Sequence, residues 1–220
     1  MKLSKYIDHT LLKANATKEQ IVKLCNEAKT YDFRTVCVNP SYIPLCVEEL
    51  KGSDVGVCTV IGFPLGMMTT EAKVFEAKDA IEKGALEVDM VLNIGRLKDR
   101  DEAYVTNEIK AIKEACGDHC LKVIIETCLL EDEEKELACK CILAAGADFV
   151  KTSTGFSTSG ATFHDVELLK KCVGDNAFVK AAGGVKTHDD FLKMIDLGAD
   201  RIGTSSGVKL INNETAEAGY

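Results

Sequence analysis

Two lysines end two short apolar runs, Phe149-Val150-Lys151 and Phe178-Val179-Lys180. Each opens onto a glycine-bearing turn, Thr152-Ser153-Thr154-Gly155 and Ala181-Ala182-Gly183-Gly184. Taking one ammonium group out of water without a partner is costly, and a second cation close by adds to the cost. Covalent chemistry benefits from that arrangement. A lysine of pKa ~10.4 is neutral about once in 2,500 at pH 7, which is rare for a group that must attack a carbonyl. A neighbouring ammonium together with partial desolvation lowers such a pKa by ~3 units. One lysine then becomes the nucleophile while its neighbour keeps its charge. Spacing alone does not say which is which, and the plain alternative is a solvated lysine just past each strand.

A carboxylate is placed to serve them. In Glu87-Val88-Asp89-Met90-Val91-Leu92-Asn93, the two-residue period puts Glu87, Asp89, Val91 and Asn93 on one face and the apolar Val88, Met90 and Leu92 on the other. The apolar face packs on helices, so Asp89 points the other way. There it is either a counter-ion for an interior lysine or the same ion pair used to move protons.

These side chains need a scaffold that brings strand ends together. Strand-like runs are predicted at Tyr6–Thr10, Thr35–Asn39, Val55–Ile61, Leu86–Leu92, Leu121–Glu126, Phe149–Lys151, Phe178–Lys180 and Arg201–Gly203. Helical patterns fall between them at about 17–30, 41–50, 70–83, 98–116, 131–145, 162–172 and 187–197. Thr17-Lys18-Glu19-Gln20 and Thr187-His188-Asp189-Asp190 have the form of helix-opening capping boxes. The acidic run Glu131-Asp132-Glu133-Glu134 suits a helix start, where the macrodipole favours negative charge. Gly84, Gly146 and Gly198 each sit in a Gly-Ala step between a helix and a strand, an αβ junction used three times. Eight strands with regular crossovers in 220 residues predict a single parallel (β/α)8 TIM barrel spanning 1–220. A doubly wound open sheet is the alternative, but no G-x-G-x-x-G follows the first strand.

Barrels of this kind work at the C-terminal ends of their strands. Those ends supply Asp8, Cys37, Asp89, Glu126, Lys151, Lys180 and the turn Gly203-Thr204-Ser205-Ser206-Gly207. The glycines of the seventh and eighth units fit a phosphate cradle of backbone N–H groups, with Lys186 adding charge at its edge.

Composition removes other classes. The chain is 46% hydrophobic with a formal net charge of -8 and no Trp. It shows no basic stripe or aromatic platform for nucleic acid. No apolar run reaches the ~20 residues of a membrane span. The first residues lack a signal-peptide core, so a cytoplasmic protein is expected. Ten cysteines invite a redox or metal-storage reading, yet none forms a C-x-x-C pair, and most occupy small apolar positions. Four dispersed histidines make no H-x-H or H-E-x-x-H, so no catalytic metal and no cofactor are expected.

The segments Ile7-Asp8-His9-Thr10-Leu11-Leu12, Val60-Ile61-Gly62-Phe63-Pro64-Leu65-Gly66, Glu87-Val88-Asp89-Met90-Val91 and Lys122-Val123-Ile124-Ile125-Glu126-Thr127 go together with the two lysine motifs and Gly203-Thr204-Ser205-Ser206. As a set they resemble the deoxyribose-phosphate aldolases over nearly the whole chain. The resemblance implies reversible cleavage of 2-deoxy-D-ribose 5-phosphate to acetaldehyde and D-glyceraldehyde 3-phosphate, without metal. It assigns Lys151 as the Schiff-base residue, with Lys180 as the second lysine and Asp89 as the proton relay. Gly155, Gly183, Gly184, Gly203, Ser205 and Ser206 become phosphate contacts, and Asp8, Thr10, Cys37 and Thr152 complete the expected substrate set. Tyr220 matches a C-terminal tyrosine that assists proton transfer in some members. Phe156 stands where some members carry a lysine near the phosphate. A homodimer is the assembly common in the family. Cys37, read as ending a strand near the mouth, is expected to be open to alkylation by unsaturated aldehydes. The rival readings are another phosphosugar aldolase or isomerase on the same barrel and a non-catalytic phosphosugar sensor.

Overall fold

The computed structural model describes residues 2–215. Eight parallel strands close into a barrel in chain order: β1 Ile7–Leu11, β2 Thr35–Val38, β3 Gly56–Ile61, β4 Glu87–Val91, β5 Cys120–Ile124, β6 Phe149–Lys151, β7 Phe178–Ala182 and β8 Arg201–Thr204. Strand β8 pairs back onto β1, with Asp8 opposite Gly203. The helices are α1 Lys18–Tyr31, α2 Ile43–Glu49, α3 Thr70–Glu82, α4 Ile94–Lys98, α5 Glu102–Cys116, α6 Asp132–Ala145, α7 Phe163–Val173, α8 His188–Asp196 and α9 Gly207–Ile211.

Local chemistry explains most boundaries. Thr17 with Gln20, Glu131 with Glu134, and Thr187 with Asp190 form reciprocal capping boxes that open α1, α6 and α8. Gly146, at φ 73°, ends α6 in the left-handed conformation that the Gly-Ala junctions predict. The expected helix at 98–116 is instead two. Asn93 caps α4 and Asp101 caps α5, and Arg100 at φ 59° turns the chain between them. The segment expected as one helix at 41–50 begins as a 3-10 turn, Pro40–Tyr42, because two prolines withhold backbone donors there. The expected strand Leu121–Glu126 stops at Ile124, and Glu126 leaves the extended region at φ 53°. The short α9 has too few residues for a periodicity to show.

The main core lies between strands and helices. Outward residues such as Val36, Val88, Met90, Val123, Val150, Val179 and Ile202 are buried against helical Ile21, Ala77, Ile109, Ile142 and Leu169. The barrel interior is a different medium. It holds Asp8, Glu87, Asp89, Lys122, Lys151, Lys180 and Arg201, all buried. The ring of Phe149 faces Lys122 and Arg201 at 5.8 and 5.9 Å and packs on Phe178.

A second buried ion pair steadies the strand that carries Asp89. Lys73 of α3 and Glu108 of α5 meet at 3.0 Å with no solvent exposure. Lys73 donates to the Val91 carbonyl at 2.9 Å, and Glu108 accepts from the Asn93 N–H at 3.1 Å. Both contacts fall at the C-terminal end of β4. Burial pushes the Lys73 ammonium down and the Glu108 carboxyl up. Among the described residues no helix is long and apolar enough to cross a membrane, and all ten cysteines are free.

Candidate active site

Strand register sets the central geometry. Lys151 lies opposite Lys180, Lys180 opposite Arg201, and Asp89 opposite Lys122. Opposed residues of neighbouring parallel strands point to the same face, here the barrel interior. The side chains of Lys151 and Lys180 converge on one atom. Each Nζ lies 2.7 Å from Oδ2 of Asp89, so the two nitrogens are at most twice that distance apart. Lys122 binds the other oxygen, Oδ1, at 2.9 Å.

The pair expected from sequence is thus part of a larger network. Lys180 also meets Asp8 Oδ2 at 2.6 Å. Asp8 Oδ1 accepts from Thr35 Oγ1 at 2.7 Å and from Arg201 Nε at 2.8 Å. Arg201 continues to Glu87, which pairs with Lys122 at 2.6 Å. When every member is ionised, four cations (Lys122, Lys151, Lys180 and Arg201) face three carboxylates (Asp8, Glu87 and Asp89).

Charge and burial divide the roles. Burial opposes ionisation of Asp89, but Lys122, Lys151 and Lys180 outweigh it and hold the carboxyl well below the usual range. Asp8 is held down in the same way, by Arg201 and Lys180 against burial. Burial likewise disfavours the charged form of Lys180, yet Asp8 and Asp89 prevail and keep it well above the usual lysine range. Lys122 is kept charged by Asp89 and its neighbours against the same penalty. Lys151 differs from both. Among the described residues it makes one ion pair, to Asp89, and it retains 3% exposure where Lys122 and Lys180 have none.

Beyond the lysines, a cavity of about 490 Å³ opens among the loops after β6, β7 and β8. Gly155, Gly183, Gly184, Ser205 and Ser206 line it, together with Ser157, Thr158, Ser159, Thr162, Thr204 and Lys186. Its walls depend on bare backbone. A Cβ on Gly184, itself at φ 78°, would lie 2.6 Å from the Ala161 carbonyl oxygen, and one on Gly160 would lie 2.5 Å from the Gly183 carbonyl carbon. Glu126 braces the loop after β6 by accepting from the Thr154 N–H at 3.1 Å and from its hydroxyl. Exposed hydroxyls, turn N–H groups and one lysine are groups that can hydrogen-bond an anion.

Other expected residues are placed differently. Gly203 lies in β8, where its carbonyl accepts from Gly183 at 3.4 Å. Thr152 accepts from the Ala182 N–H at 3.1 Å, which ties β6 to β7. Thr10 donates to the Asp8 carbonyl at 2.8 Å. Cys37 has no solvent exposure and packs with Leu12, Cys58 and Val60 under Phe63, so it is enclosed rather than presented at the mouth. Phe156 sets its ring edge-on to Phe63 at 5.3 Å. Tyr220 lies outside the described residues.

Sequence reading gave no role to Lys122, Glu87, Arg201 or Cys58. Alternation marks Glu87 as sharing the Asp89 face, and a lysine among the valines and isoleucines of β5 was an available signal. Cys37, Cys58 and Asp89 stand close enough to share a metal ion. However, both Asp89 oxygens already accept from ammonium groups, and a dication would have to displace them.

Two facing lysines on one carboxylate, with a hydroxyl- and glycine-lined cavity among the neighbouring loops, fit carbonyl chemistry, and similarity to other proteins points the same way. The deoxyribose-phosphate aldolase of Streptococcus uberis (strain ATCC BAA-854 / 0140J) is 59% identical over 220 residues, covering 100% of both chains. That of Bacillus cereus (strain AH187) is 58% identical over 219 residues, 99% of this chain and 98% of its own. The solved tetrameric deoxyribose phosphate aldolase of Aeropyrum pernix superposes with a TM-score of 0.87 at 35% identity, covering 96% of this chain and 89% of that one. Residues 2–212 match the profile described as DeoC/LacD family aldolase, and the chain belongs to that family.

Proposed function

We propose that this chain is a Schiff-base aldolase that reversibly cleaves 2-deoxy-D-ribose 5-phosphate to acetaldehyde and D-glyceraldehyde 3-phosphate. The observation that carries the reading is the shared Asp89 oxygen, 2.7 Å from both Lys151 and Lys180. A cluster with one cation in excess becomes neutral by losing a single proton. Among the described residues Lys151 is the amine of the cluster with the fewest carboxylate partners and the one that keeps some exposure, which supports it as the nucleophile. Its lone pair attacks the substrate aldehyde carbon, and loss of water gives the iminium. That cation accepts the electron pair of the breaking C–C bond, which leaves an enamine on Lys151 and releases glyceraldehyde 3-phosphate. Protonation of the enamine carbon and hydrolysis release acetaldehyde.

Protons must move at several steps, and the network supplies a path. Asp89 accepts from the carbinolamine or the sugar hydroxyl, and Lys180, held charged, returns protons and stabilises developing oxyanions. The serine- and glycine-lined wall with Lys186 takes the phosphate, so that binding energy far from the reacting carbons holds them in line. A phosphorylated sugar is confined within cells by its charge, which supports a cytoplasmic location.

The test is direct. Incubation with 2-deoxyribose 5-phosphate should release acetaldehyde and glyceraldehyde 3-phosphate in equal amounts, with EDTA without effect. In the synthetic direction acetaldehyde should outperform ketone donors. Tight binding of the sugar phosphate without release of either aldehyde would make the chain a sensor instead.

A further inference from the structure

The Asp89 carboxylate has room for about four donors, two on each oxygen. Lys151 and Lys180 fill Oδ2, and Lys122 takes one place on Oδ1. The remaining place belongs to a residue that the proposed chemistry does not use. Cys58 of β3, with no solvent exposure, sets its Sγ 3.2 Å from Asp89 Oδ1 and 3.4 Å from Lys122 Nζ. Building on the aldolase reading, we propose that Cys58 is a positioning residue for the reaction: its thiol fixes the rotation of the Asp89 carboxylate, so that Oδ2 stays aimed at the two reactive lysines.

The chemistry of the site supports a donor role. Lys122 has only hydrogens to offer, so the sulfur accepts from Lys122 and spends its own proton on Asp89. Burial, the neighbouring Cys37 thiol and the Asp89 charge push the Cys58 thiol well above its usual range, so it stays protonated while the enzyme works. The groups that face Asp89 are Lys122, Lys151, Lys180 and, across the barrel, Asp8. Cys37 and Glu87 flank Cys58. None of these sits where the thiol does: the three ammonium groups are already engaged by carboxylates, and Asp8 and Glu87 are carboxylates themselves.

Without the thiol, Oδ1 keeps an unpaired acceptor position in a buried site. It then competes with Oδ2 for the proton in transit. The anion also loses one stabilising hydrogen bond, so its pKa rises. Activity that requires ionised Asp89 is lost as pH falls through that pKa, so the acid limb of the kcat/KM profile moves to higher pH.

The experiment compares wild type, Cys58→Ala and Cys58→Ser with 2-deoxyribose 5-phosphate across pH. For Cys58→Ala, kcat should fall about tenfold, with KM within twofold and the acid limb displaced upward. Cys58→Ser restores a donor and should recover most of kcat and the original limb. A Cys58→Ala variant with the wild-type kcat and acid limb would overturn the proposal. So would a folded Cys58→Ser enzyme as impaired as Cys58→Ala, which would show that sulfur packing alone matters. Failure of the aldolase reading is separately visible, since wild-type protein would then release no aldehyde at all.

Discussion

Replacing Lys180 with Leu should lower kcat about 10³-fold while changing KM by no more than a few-fold. The side chain is fully buried and bridges Asp8 and Asp89 at 2.6 and 2.7 Å. Leucine fills similar space but removes both the proton donor and the positive charge that faces Lys151 across the shared Asp89 oxygen. The cavity proposed for the phosphate is lined by other residues, so the sugar phosphate should still bind. A stability cost comes with the change, because Asp8 Oδ2 loses the ammonium at 2.6 Å while remaining buried. Removing one partner of a buried pair typically costs about 3–5 kcal/mol, so thermal unfolding should be recorded beside steady-state kinetics. A folded Lys180→Leu protein with near-normal kcat would show that the second amine does not set the reactivity of the first.

The Asp89→Asn variant is expected to be more damaging. The carboxylate gathers Lys122, Lys151 and Lys180 around two oxygens. An amide offers one acceptor oxygen and turns an NH₂ donor toward at least one ammonium group, so at least one cation loses a carboxylate partner in the barrel. Turnover should fall about 10³- to 10⁴-fold, and stability at pH 7 should drop by several kcal/mol. The pH dependence of unfolding gives a second reading. Asp89 in the folded protein sits well below its unfolded pKa of ~3.9, so its contribution is fully present above that value and is lost as pH falls through the folded pKa. Wild-type protein should therefore lose stability on acidification below about pH 4 more steeply than Asp89→Asn. Parallel acid-unfolding curves would contradict the assignment.

How much of this could be read from the chain depends on the range of the interactions. Strand ends and caps are local, so eight strands, the two capping boxes at Thr17 and Thr187, and the Gly146 turn were visible in the residues. The inward face of Asp89 followed from alternation in a strand buried on its other side. What the chain hid was set by closure of the barrel. Arg201 begins β8 and Glu87 begins β4, and only a closed sheet brings them into contact 114 residues apart. Cys58 looks like any small core residue until β3 is placed beside Asp89 and near Lys122. Cys37 misled for the same reason, since its place near a strand end says nothing of Leu12 and Phe63 closing over it. The split at Asp99–Asp101 was missed because the apolar spacing runs through it, and two capping side chains override that period.

The mechanism depends on which amine forms the covalent bond. Acetaldehyde and borohydride should reduce the imine to an ethyl group on a single lysine, and peptide mapping by mass spectrometry should place it on Lys151. Ethylation at Lys180 or Lys122, or no modified lysine in protein that cleaves its substrate, would contradict the mechanism.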